Sequence, residues 1–150
     1  MPLRDKPLTG DGMINSRKID DLHPRVAVLC RAFIAACAQQ NIDIIITSTY
    51  RDHESQAALY AQGRTAPGRK VTNARPGQSW HNWRCAFDFA PIVNGKVPWN
   101  DANLFTRCGK IAESCELEWA GRWKRFPELA HCQATFGLTL ADFRAGKTIA

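Results

Sequence analysis

The stretch Ser79-Trp80-His81-Asn82-Trp83-Arg84-Cys85-Ala86-Phe87-Asp88 decides the reading of this chain. After Trp83 the residues alternate like a strand entering a core. Ala86 and Asp88 fall on one face, Phe87 and Phe89 on the other. A carboxylate on an otherwise apolar strand is costly unless it is paired or bound to a cation. His81 stands seven residues before Asp88. An imidazole nitrogen and a carboxylate oxygen are both ordinary Zn²⁺ ligands, at about 2.0–2.2 Å. Further on, Glu128-Leu129-Ala130-His131 offers a third ligand in His131. Three residues earlier, Glu128 can stand beside a metal without binding it. Three protein ligands with a fourth position open is the pattern of a catalytic zinc, whereas structural zinc closes all four positions. The residues therefore read as a hydrolase site for one Zn²⁺, with His81, Asp88 and His131 as ligands and Glu128 as general base. Glu118 is a rival for the acid.

Outward from that stretch, the chain divides into short elements. Residues 1–15 carry Pro2, Pro7, Gly10 and Gly12 without periodicity and read as an arm, with the domain proper over residues 16–150. Pro24 suits a first helical turn. Val26, Leu29, Cys30, Phe33, Ile34 and Cys37 then recur at helical spacing to about Gln40. Ile42 to Thr47 is β-branched and nearly continuous and predicts a buried strand. Asp52 suits the cap of a helix over His53 to Ala61. Arg51 then falls at a strand end, where a guanidinium can grip a carboxylate or a developing oxyanion; the plain alternative is a surface ion pair. Gln56, on the helix, is a candidate to face the same site. The long loop from Gly63 to Gln78 carries Arg64, Arg69, Lys70 and Arg75, and loops of that length tend to be functional. Ser79 can bond substrate backbone or orient a ligand. Asn94-Gly95 predicts a type I′ hairpin with a short return strand. Asp101 predicts a cap for a helix whose buried face carries Leu104, Cys108, Ile111, Ala112 and Cys115. Leu117-Glu118-Trp119 is a short strand. Trp119 and Trp123 are candidate walls of a substrate cleft, with ordinary core packing as the alternative. His131 opens another short strand, expected to pair beside the motif strand. Thr139 with Asp142 forms a capping box for a last helix ended by Gly146. The whole predicts a single compact α+β domain: a small, mostly antiparallel sheet packed against helices, with the zinc site at the sheet.

Composition narrows the classes. The chain has 150 residues, 45% hydrophobic, with five Trp, which excludes disorder and allows one domain with a core. The net charge of +6 suits an anionic partner: nucleic acid, anionic lipid or bacterial cell wall. No long Lys/Arg run is present, which argues against a nucleic-acid arm. A basic nucleic-acid-binding domain with merely structural His and Asp would show salt-sensitive DNA affinity and no bound metal. Of six Cys, none form C-x-x-C. Cys30 and Cys37, like Cys108 and Cys115, share a helix face and read as reduced core thiols.

Ser-x-His-x-x-x-x-Ala-x-Asp followed by acid-x-x-His resembles the zinc peptidases that cleave peptidoglycan, the D-alanyl-D-alanine carboxypeptidases and the phage L-alanyl-D-glutamate endopeptidases of endolysin type. Ser48-Thr49-Tyr50-Arg51, Gln56, Leu59 to Thr65, Pro67-Gly68, Pro76-Gly77 and Glu118-Trp119 match as well, in the family's order. Arg84 stands where Gly is usual, as does Ala120, and Ala130 and Cys132 replace the usual Pro and aromatic around His131. The resemblance implies that Arg51 works beside the zinc, that Ser79, Gln56, Trp119 and Trp123 meet substrate, and that the substrate is a wall stem peptide, with the L-Ala–D-Glu bond preferred. D-Ala–D-Ala carboxypeptidase activity and a non-catalytic wall-binding module are the alternatives; a retained general base argues against the latter. No apolar stretch suits a signal peptide or a bilayer span. A monomer made in the bacterial host's cytoplasm is therefore expected, reaching the wall after release by a holin in the manner of a phage or prophage endolysin.

Overall fold

The fold begins where the polar arm gives way to helical periodicity. The structure, a computed structural model, describes residues 13–150. Apart from its last three positions, the arm expected over residues 1–15 lies outside the described residues. Helix α1 (Pro24–Gln39) has Pro in its first turn, and its His23 cap accepts a bond from Arg25 N. Asn41, at φ 61°, turns the chain out of the helix. Strand β1 (Asp43–Ser48) follows, then helix α2 (His53–Ala61), capped by Asp52, whose carboxylate accepts from Ser55 N at 2.8 Å. The remaining elements are β2 (Ala86–Ile92), α3 (Ala102–Ser114), β3 (Glu118–Trp119), β4 (His131–Gln133) and α4 (Leu140–Arg144). Asp101 caps α3, and Thr139 and Asp142 cap α4 reciprocally.

The four strands form one sheet in the order β1-β2-β4-β3, every pair antiparallel. Register makes it two-faced. Asp88 pairs with Ser48 and His131, and Gln133 pairs with Ala86 and Glu118. Opposed residues project to the same side, so these residues share one face. Phe87, Phe89, Cys132 and Trp119 take the other, together with the core side chains of α1 and α3. There Phe33 meets Phe89 edge-on at 5.0 Å, and Phe105 meets Phe89 at 5.9 Å. Each such fully buried side chain contributes about 1.5–3 kcal/mol.

Two expectations are corrected. The Ile42 to Thr47 segment is not a fully buried strand: β1 is an edge strand, with Ile44 and Ile46 against the core and Ile45 40% exposed. A run of β-branched residues records strand preference and does not say which face a second layer covers. After Asn94 and Gly95, both at positive φ, the return strand shrinks to a single bridge between Val93 and Lys96. The cysteines fall as expected: five are buried, Cys115 is half-buried, and all six are free thiols. Burial pushes the Cys30 and Cys85 thiols up to about 12.

Trp119 is a core residue, 4% exposed, and does not wall a cleft. Its indole lies between Gly109 of α3 and Gly121, where a Cβ at either position would come within 2.1 Å of the ring. Its Nε1 donates to Leu129 O at 2.9 Å, which anchors the segment leading to β4. Gly109→Ala is accordingly expected to destabilise the protein by about 1–3 kcal/mol in urea unfolding, the overpacking cost, although Ala in a helix interior ordinarily gains about 1 kcal/mol over Gly.

Candidate metal centre

The polar face of the sheet carries the centre. Asp88 presents its carboxylate from β2, His131 its imidazole from β4, and His81 comes from outside the sheet on a 3₁₀ turn over Trp80–Trp83. That turn is built locally by side-chain capping. Ser79 Oγ accepts from His81 N, while Asn82 Oδ1 accepts from Ser79 N and Gly77 N. It is bolted to the end of β1 by Asn82 Nδ2 donating to Arg51 O at 2.9 Å and by Arg51 N donating to His81 O. Arg84 closes the turn at φ 63°, a left-handed conformation that glycine adopts most easily. Its guanidinium lies 3.8 Å over the Tyr50 ring and donates to Asp21 O, contacts a glycine cannot make.

Proton positions follow from the partners. His81 Nδ1 lies 2.8 Å from Thr49 O, and a carbonyl only accepts, so the proton sits on Nδ1. Gln133 Nε2 faces the Glu118 carboxylate, also acceptor-only, which turns Gln133 Oε1 toward His131 Nε2 at 2.8 Å and places that ring's proton there. The inner nitrogens, His81 Nε2 and His131 Nδ1, are left as lone pairs, each 3.2 Å from Asp88 Oδ1. Three electron-pair donors thus converge, all ligand atoms within 4.8 Å of one another. Such a cluster repels itself unless a cation or an extra proton sits among the atoms. The titration tendencies agree. Burial alone would raise Asp88 and lower His131, but the pull of His81 and then His131 holds Asp88 well below the usual carboxylate range, and Asp88, with Glu128 behind it, holds His131 above the usual imidazole value. Two imidazoles and one carboxylate with an open side fit Zn²⁺.

The centre opens into a cleft of about 910 Å³. Glu128 lines it, its side chain 57% exposed, with Oε1 3.8 Å from His131 Nδ1. Arg51 lines it too, with Nη1 donating to Gln56 Oε1 and Nη2 to Ser48 Oγ. Among the described residues its Nε is a buried donor with no partner. Burial lowers the Arg51 pKa, against the pull of Asp88 and Glu128. Ser79 and Trp123 line the cleft, Trp123 with its ring 5.4 Å from His131.

Gln56 does not face the cleft. It is fully buried, accepting from Arg51 and donating to Ala74 O at 2.8 Å, so it ties the arginine to the long basic loop. Helical position alone cannot distinguish a side chain that faces the cleft from one buried behind it. Glu118, the rival acid, lies behind the sheet's polar row, bonded to Gln133 and Trp123. Lys70 lines the cleft from the long basic loop that the sequence marked as functional. Sequence reasoning missed Thr49 and Gln133, the outer partners of the two imidazoles, and Asn15 and Arg144, which line the cleft. Strand alternation was the available signal for Gln133; nothing local marked the others.

Residues 19–131 match the model of the VanY family, described as D-alanyl-D-alanine carboxypeptidase. The peptidoglycan L-alanyl-D-glutamate endopeptidase CwlK of Bacillus subtilis (strain 168) is 38% identical over 122 residues, 75% of this chain and 73% of CwlK. Two solved structures share the fold. The Serratia marcescens L-Ala D-Glu endopeptidase ChiX has a TM-score of 0.59 and 18% identity, covering 79% of this chain and 84% of its own. A vancomycin-resistance D,D-pentapeptidase VanY, as its E175A mutant in complex with Zn(II), has a TM-score of 0.56 and 14% identity, covering 75% and 71%.

Zinc at 100 times its dissociation constant should stabilise the protein by about 2.7 kcal/mol, read as a rise in thermal midpoint that EDTA reverses. Asp88→Asn and His81→Ala are expected to abolish that rise and to lose stoichiometric zinc by elemental analysis.

Proposed function

This chain belongs to the VanY family of D-alanyl-D-alanine carboxypeptidases, and on that footing we propose that it hydrolyses the L-Ala–D-Glu bond of peptidoglycan stem peptides. It is a peptidoglycan zinc peptidase of the VanY/CwlK type. The finer choice of bond is supported by CwlK, an L-alanyl-D-glutamate endopeptidase at 38% identity. The observation that carries the chemistry is the convergence of His81, Asp88 and His131 with Glu128 beside them at the mouth of a cleft.

His81, Asp88 and His131 hold the ion, which when bound supplies Lewis acidity toward a peptide carbonyl and acidifies water. Glu128 is the general base, exposed enough to meet a cleft water and close enough to the centre to serve one that attacks there. It takes the water's proton and passes it to the leaving amine. Arg51 offers its donors to the oxyanion that develops on the carbonyl, or to a substrate carboxylate. Gln56 and Ser48 hold its two terminal nitrogens so that the fork does not swing. Ser79 positions His81 through the cap of its turn, and Trp123 gives an aromatic wall to the substrate.

The D-Ala–D-Ala carboxypeptidase reading is the alternative, favoured by the description of the family model. A phage or prophage endolysin role is the setting we propose for the activity; its support is the resemblance of the sequence motifs. No helix among the described residues is long and apolar enough to cross a membrane.

Purified protein incubated with Gram-negative sacculi tests this reading. We expect turbidity to fall and mass spectrometry to find stems with a free N-terminal D-Glu. Release of D-Ala alone moves the assignment to the carboxypeptidase, and zinc-loaded protein that releases neither leaves a wall-binding module. Glu128→Gln should keep its zinc and lose about 10²–10⁴-fold in turnover, the usual contribution of a positioned base.

A further inference from the structure

Behind His131, away from the cleft, lies a polar network that the proposed chemistry does not use. Glu118 of β3 and Gln133 of β4 are directly paired across the strands. Gln133 is 3% exposed. Its amide nitrogen lies 3.4 Å from Glu118 Oε1, and its oxygen 2.8 Å from His131 Nε2. The second oxygen of Glu118 accepts from Trp123 Nε1 at 2.8 Å. Trp123 then folds its ring back to within 5.4 Å of the same imidazole, inclined at 54°. The contacts close a ring: His131, Gln133, Glu118, Trp123 and His131 again.

We propose that Glu118 is a positioning residue for the metal centre, acting on His131 from two sides: through Gln133 on the ring's tautomer, and through Trp123 on the wall over its face. The chemistry is one of donor and acceptor inventory. A carboxylate only accepts, so both of its neighbours must turn N–H groups toward it. That leaves Gln133 no choice but to offer its oxygen to His131, which puts the imidazole proton on Nε2 and leaves Nδ1 as a lone pair toward Asp88. An amide at position 118 puts an NH₂ donor where one of the two carboxylate oxygens stood, so either Gln133 or Trp123 meets a donor and one arm of the network breaks. Glu118 lines neither the centre nor the cleft among the described residues, so it acts only through its neighbours. The inference rests on the reading of the centre as a zinc site.

A swap of side chains tests it. Glu118→Gln alone should weaken zinc binding by about 10–100-fold, as loss of an outer partner of a metal-bound histidine does, measured by competition with a chromophoric chelator. Gln133→Glu alone brings two carboxylates face to face and should also weaken it. The double variant Glu118→Gln/Gln133→Glu satisfies every donor again, with the carboxylate now accepting from His131 and from the amide, and the amide oxygen accepting from Trp123. It should recover most of the lost affinity at unchanged net charge. In the zinc-free protein, ¹⁵N shifts of the His131 ring should report a proton fixed on Nε2 in the wild type and in the double variant, and a mixture of tautomers in Glu118→Gln. This second measurement decides the matter even where a single variant lowers the thermal midpoint. Single variants that bind zinc as the wild type does, or a double variant no tighter than the weaker single, would overturn the proposal. Wild-type protein without zinc affinity would overturn the reading of the centre itself.

Discussion

A half-buried carboxylate facing two imidazole lone pairs is the constraint around which this protein is built. Asp88 Oδ1 lies 3.2 Å from His81 Nε2 and 3.2 Å from His131 Nδ1. A neutral ring has no proton to offer it, because Thr49 O and Gln133 Oε1 hold the rings' protons on the far side. In an apolar protein such an arrangement would be a costly defect. It is stable as a place for a cation, and much of the surrounding structure keeps its three donors from relaxing apart.

The sheet does most of that work through alternation. Because Asp88 and His131 are cross-strand partners, their side chains leave the sheet together, while Phe87 and Cys132, one step along, point into the core. The packing that holds the site is therefore the packing of the fold. Trp119 shows the linkage. Its indole fills the space left by Gly109 and Gly121, and its N–H holds Leu129 O two residues before His131. A tryptophan that touches no substrate thereby helps set the position of a ligand.

On the opposite side the site is held by turns and side-chain caps. His81 sits in a short 3₁₀ turn that owes its shape to Ser79 and Asn82 and its attachment to the backbone of Thr49 and Arg51. The end of β1 consequently serves twice, by orienting His81 and by delivering Arg51 to the cleft. Gln56, wholly inside, then connects Arg51 to the loop around Ala74. Arg84 shows how a departure from the family's usual residue is tolerated. Its backbone keeps the left-handed conformation that glycine would take, and its side chain gains a cation–π contact with Tyr50 and a bond to Asp21 O.

By itself the sequence determined the α+β architecture and the caps at Asp52, Asp101 and Thr139, because each is written in local signals: period-two and period-3.6 patterns and capping residues. It also nominated His81, Asp88 and His131 together, through their ligand types and the resemblance of their motifs, in order, to those of the zinc peptidases. The tertiary structure alone decided which of the candidates face the cleft. Trp119 and Gln56 are buried, Trp123 is not, and Glu128 rather than Glu118 stands beside the centre. Those outcomes depend on strand register and on which layer covers each face, and both arise from contacts between residues far apart in the chain, such as Thr49 with His81 and Arg51 with Asn82.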